Sequence, residues 1–151
     1  MRKFLPIFMM LLLGATALSG RPIIQTIMHP NGIVLTIGVT FTANQTQAGY
    51  IIKPKDTSQT RFPLAIEIRL EDGPEPSGPS KSRVINGTQI NYRIVQEPGD
   101  AGSGGNEYTM TAWRPCLGKQ IFAIQRTQAE TEQELDFQEA FQIIARARCK
   151  N

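Results

Sequence analysis

The chain carries a single histidine, His29, among its 151 residues. A Ser-His-Asp or Cys-His device needs an imidazole beside a nucleophile. His29 instead sits in a His-Pro-Asn-Gly turn, where an exposed structural histidine is the ordinary case. With one histidine and no free cysteine expected, a zinc centre has too few ligands, and no second His or acidic cluster flanks either cysteine. No metal and no cofactor is therefore expected. An apolar run of about 20 residues, the length that spans a bilayer, is also missing. The Gly-rich stretch Gln96–Asn106 contains no Lys and opens no helix, so it fails as a phosphate loop.

An excess of one charge is absent as well. The formal net charge is +3, but Arg2 and Lys3 belong to the leader, which leaves +1 on the remainder. A nearly neutral domain lacks the clustered basic stripe that nucleic acid requires. Nucleic acid is thus excluded as a partner.

What is present begins with that leader. Met1-Arg2-Lys3 is a positive n-region, Phe4–Leu13 is almost wholly apolar, and Ala15-x-Ala17 fits a small-residue cleavage site. Residues 1–17 are read as a signal peptide, and 18–151 as one globular domain large enough for a real core. Leu18-Ser19-Gly20 is the triplet that precedes the lipidated cysteine of bacterial lipoproteins. Arg21 stands where that cysteine would be, which argues against membrane anchoring. In an oxidising compartment Cys116 and Cys149 read first as a disulfide. It would close a loop of about 34 residues, worth roughly 3–4 kcal/mol by chain entropy.

Alternation of period two dominates the body. Pro22–Met28, the turn Asn31-Gly32, and Ile33–Thr42 read as a hairpin whose second strand runs ten residues. Ala48–Ile52 and Leu64–Glu71 read as further strands, Arg83–Ile85 and Thr88–Val95 as a hairpin about Asn86-Gly87. Tyr108–Trp113 and Ile121–Ile124 read as two more. The tail changes period. Thr131-x-x-Glu134 is a capping box, and Leu135, Phe137, Ala140, Phe141, Ile144 and Ala145 form a helical stripe. A helix from about Glu132 to Arg148 is expected, with Arg146 and Arg148 at its negative end. The fold class is therefore α+β and mainly β: an antiparallel sheet of hairpins, one C-terminal helix packed on it, and one disulfide.

Two long loops break the pattern, and long structureless loops in a compact domain are usually functional or disordered. Asp72–Ser80 follows Glu71 and contains Asp72 and Glu75; Gln96–Asn106 contains Glu97 and Asp100. Catalytic carboxylates need rigid placement, which these Gly- and Pro-rich stretches do not offer. As contact residues, Glu71, Asp72, Glu75, Glu97 and Asp100 suit a cationic or metal-bearing groove. Trp113 and Arg114 are candidates too, since Trp and Arg dominate binding hot spots; a core Trp beside a disulfide is the equal alternative.

A short exported chain, a leader ending Leu18-Ser19-Gly20, a strand-rich body and acidic loops together resemble the periplasmic immunity proteins of type VI secretion systems. The likeness is to those that neutralise a peptidoglycan-cleaving muramidase effector, and it spans the whole chain in character. It implies residence in the periplasm of a Gram-negative bacterium, no catalytic role, and a protein partner whose active-site cleft is blocked by loops. In some cases calcium is held on the effector side. A small periplasmic hydrolase using loop carboxylates and an accessory subunit of an envelope complex remain open alternatives.

Overall fold

The computed structural model describes residues 23–56, 58, 64–97 and 105–150. The leader, Arg21 and Asp100 lie outside the described residues. Among these residues the fold is mainly β, with two antiparallel sheets, one α-helix and one disulfide.

The small sheet has the order β1-β2-β10, from β1 (Ile24–Met28), β2 (Ile33–Gly38) and β10 (Arg148–Cys149). The large sheet has the order β3-β4-β5-β9-β8-β7-β6. Its strands are β3 (Phe41–Gln45), β4 (Gly49–Pro54), β5 (Ile66–Glu71), β6 (Lys81–Ile85), β7 (Thr88–Glu97), β8 (Asn106–Cys116) and β9 (Lys119–Ala129). The helix α1 (Gln138–Arg146) packs against β6, β7, β8 and β9 of the large sheet and β2 of the small one.

Alternation explains the core. Ile33, Leu35 and Ile37 of β2 point inward, as do Tyr50, Ile52, Ile66, Ile68, Ile90, Met110, Ala112, Ile121 and Ala123 of the large sheet. Ala140, Phe141, Ile143 and Ile144 of α1 complete the cluster. Burial of such side chains stabilises by about 25 cal/mol per Å².

Three expectations about element boundaries are corrected. The ten-residue strand Ile33–Thr42 is two strands. The chain turns at Val39-Thr40 and passes from the small sheet to the large one, although Phe41 keeps its inward phase. Ile121–Ile124 is only the middle of an eleven-residue strand, joined to β8 through the two-residue turn Leu117-Gly118. Leu117 has φ 51° there, a conformation few bulky residues take. The helix begins six residues later than expected. Glu132–Glu134 forms a 3-10 turn without a Thr131 side-chain cap, and Leu135 is extended. Phe137 is buried, the Asp136 carbonyl accepts from Gln125 Nε2 at 3.0 Å, and Asp136 Oδ1 accepts from the Gln138 N–H at 2.9 Å. Tertiary anchoring of this segment overrides the local capping signal. At the other end, Arg148 and Cys149 leave the helix to pair with Val34 and Ile33.

The turn after β1 behaves as its sequence suggests, but its histidine is buried rather than exposed. His29 Nε2 donates to the Thr46 carbonyl at 2.8 Å, and Nδ1 accepts from the Asn31 N–H at 3.1 Å. Gly32 has φ 98°, and a Cβ there would lie 2.5 Å from the Lys150 carbonyl oxygen. The Lys150 N–H in turn donates to the Gly32 carbonyl at 2.8 Å. Gly49 is equally constrained, since a Cβ would fall 2.0 Å from the Ile68 carbonyl oxygen.

Cys116 ends β8 in the large sheet and Cys149 lies on β10 in the small one, so their disulfide joins the two layers. Reduction, or Cys116→Ser with Cys149→Ser, is expected to lower stability by roughly 3–4 kcal/mol. Urea unfolding with and without reductant measures this; an unchanged midpoint would show that the bridge contributes nothing.

Candidate functional site

The loop at 72–80 and Glu97 lie toward opposite ends of the large sheet, and Glu97, expected in a loop, is the last residue of β7. Asp72 follows β5 and reaches Lys119 beside the Leu117-Gly118 turn, with 3.1 Å between Oδ1 and Nζ. Glu97 pairs with Glu107 at the far end of β7 and β8. Cys116 lies nine positions along β8 from Glu107, which is about 30 Å at ~3.3 Å per residue. Glu71, Asp72 and Glu75 therefore share one end with the disulfide, and Glu97 belongs to the other.

At the disulfide end the carboxylates are already engaged. Glu71 Oε1 lies 3.2 Å from Arg69 Nη1, and Glu67 Oε1 lies 3.3 Å from Arg69 Nε, an ion pair without hydrogen-bond geometry. Glu75 Oε1 accepts from Trp113 Nε1 at 2.9 Å and from Asn91 Nδ2. Register makes this possible. Asn91 is opposite Trp113, and Trp113 is opposite Phe122, so the three side chains share a row on the face turned away from α1. Trp113 is only 1 % exposed, yet it stands apart from the main core cluster. It is covered by the loop at 72–80, which Glu75 fastens across the sheet.

Arg114 points the other way. Its Nε donates to the Ile144 carbonyl at 2.8 Å, Nη2 donates to the Ala147 carbonyl, and Nη1 donates to the Pro115 carbonyl at 3.3 Å. The guanidinium thus satisfies carbonyls that the end of α1 leaves open. Burial pulls its pKa below the ordinary arginine value, and the three acceptors compensate for lost hydration.

Pro115 shapes the surface around Arg114. It has no N–H to give a neighbouring strand, and the pairing of β7 with β8 ends at Asn91–Trp113. The strands part beyond that point into a groove of about 420 Å³ lined by Glu75, Thr88, Gln89, Asn91, Arg114 and Pro115. A second groove of about 440 Å³ shares Thr88 and Arg114 with it. Among the described residues, no three His, Cys, Asp or Glu side chains gather where they could hold a metal ion.

Asn91, Thr88 and Lys119 were not singled out by sequence reasoning. Asn91 sits at an outward position of an alternating strand, which is unremarkable without the register. Only the register of the folded sheet brings it to Glu75.

Comparison with known families decides the lineage. Residues 26–148 match the family model described as the type six secretion immunity 3 domain. The chain belongs to the type six secretion immunity 3 family. The immune protein Tsi3 of Pseudomonas aeruginosa is 31% identical over 137 residues, covering 91% of this chain and 90% of the relative. A crystal structure from Bacteroides thetaiotaomicron shares the fold with a TM-score of 0.61 and 8% identity. That alignment covers 84% of this chain and 48% of the other, so this chain spans about half its length. Membership in the immunity family implies a non-catalytic role and a protein partner, the cognate effector.

Trp113 is the only tryptophan, so the loop anchor has a direct optical readout. Glu75→Ala is expected to cost roughly 1.5–3 kcal/mol, the range for hydrogen bonds to a charged group, and to shift the tryptophan emission to the red. Glu75→Gln keeps an acceptor oxygen and is expected to retain most of both properties. Emission unchanged in Glu75→Ala would show that this carboxylate does not hold the loop.

Proposed function

We propose that this immunity protein is exported by its leader, acts in the periplasm, and neutralises a peptidoglycan-cleaving effector by covering its substrate cleft. The observation that carries the reading is the match to an immune protein over nine-tenths of both chains. The element that enters the cleft is the loop at 72–80, with Asp72 at its start and Glu75 as its anchor.

The mechanics favour this loop. A loop that must be ordered on binding loses affinity to that ordering, typically 0.5–1.5 kcal/mol per immobilised side chain. Here Glu75 has already fixed the segment over Trp113, and Lys119 holds its first residue. Asp72 keeps 83% of its side chain exposed despite that ion pair. It is the carboxylate best presented to a cationic cleft, or to calcium where the effector holds it. Glu97 belongs to the opposite end and does not enter the same cleft in this reading. Trp113 and Arg114 act from beneath, by supporting the loop and its neighbouring groove.

Mixing the purified protein with its cognate effector is expected to stop cleavage of isolated peptidoglycan at a one-to-one ratio. A stoichiometric complex that leaves cleavage at full rate would overturn cleft occlusion. Asp72→Lys is expected to weaken inhibition about tenfold, with little change in melting temperature, because an exposed ion pair contributes only about 0–1 kcal/mol to stability.

A further inference from the structure

The acidic side chains at the disulfide end have partners within the chain. Three arginines beside them have no carboxylate partner among the described residues. Arg114, Arg146 and Arg148 line the groove of about 440 Å³, together with Ile24, Thr36 and Thr88. No carboxylate lines it. The ion pairs among the described residues use Arg69, Lys81 and Lys119, and none uses these three arginines.

Position at the end of α1 accounts for part of this charge. A helix C-terminus carries the equivalent of about half a negative elementary charge. Arg114 already meets it, donating directly to the Ile144 and Ala147 carbonyls. Arg146 and Arg148 are exposed and add two further positive charges that the half-charge cannot balance.

Apolar side chains flank the charges: Ile24, Ala145 and Ala147 line the groove, and Met28 lies farther along β1. Ile24 and Met28 are 51% and 61% exposed and fall on the same outward side of β1. Met28 pairs with Val34, and Val34 pairs with Arg148 on its other side, so the three residues share one row across the small sheet. Arginine and methionine set among aliphatic side chains match the composition of protein interface cores. The floor is rigid, since the disulfide, the β10 pairing and the Arg114 hydrogen bonds all converge on it.

We propose that this groove binds an acidic segment of the effector, a stretch presenting two or more Asp or Glu side chains beside an apolar residue. The assignment rests on the immunity reading and adds to it. Thr88 and Arg114 form the wall common to this groove and the one beside Glu75. An effector seated on this end therefore meets an acidic loop and a basic groove side by side. Such a two-sign pattern fixes orientation and rejects partners that lack its complement.

The test uses the whole mature protein and its cognate effector in calorimetric titrations at several salt concentrations. Arg146→Glu with Arg148→Glu is expected to weaken binding about a hundredfold, and Arg146→Gln with Arg148→Gln about tenfold. Both are expected to flatten the salt dependence of Kd. The glutamine pair decides the matter if the glutamate pair unfolds. Wild-type affinity and salt dependence in the glutamine pair would overturn the groove while leaving the immunity reading intact. Failure of the unaltered protein to bind the effector would overturn that reading and this assignment with it.

Discussion

The disulfide between Cys116 and Cys149 is the constraint on which the rest of this molecule hangs. Each cysteine belongs to a different layer, one at the tip of the β8–β9 hairpin and one on the short strand that closes the small sheet. By tying them, the bridge fixes where α1 ends and where its last carbonyls face. Arg114 then donates into those carbonyls from the large sheet. Covalent closure, strand pairing of Arg148 and Cys149, and a buried guanidinium thus converge within one end of the fold.

The same end carries the features suited to recognition. Pro115 stops the β7–β8 pairing and lets the strands part. The loop at 72–80 crosses the outer face and is fastened by one carboxylate to a tryptophan and an asparagine. Rigid support beneath an exposed loop is how binding proteins avoid the entropic cost of ordering on contact. The opposite end offers Glu97 facing Glu107, a like-charge pair with neither bridge nor anchor among the described residues.

Much of the fold was legible because it is written locally. Alternation in β2 and β5 marks their buried faces, Asn86-Gly87 marks its hairpin with positive φ at both residues, and an even pair of cysteines behind a leader-like segment marks their bridge. What escaped was set by distant contacts. The Leu117-Gly118 turn places a leucine in the left-handed region, which no turn preference would suggest. The capping box at Thr131–Glu134 is locally sound, yet burial of Phe137 and the Gln125 contact delay the helix. The site was legible only in part. Glu75 and Trp113 were both singled out, but their contact spans 38 residues and turns two separate candidates into one anchor. Arg146 and Arg148 look like ordinary helix-end charges until Arg114 is seen to occupy the helix terminus first.

The central claim is that the effector meets the disulfide end of the sheet. Hydrogen exchange of the backbone amides, free and in complex with the effector, tests it most directly. New protection is expected at residues 72–80, 86–88, 114–118 and 145–148, with none at 94–97 or 105–108. Protection confined to 94–97 and 105–108 would contradict the account and move the interface to the other end.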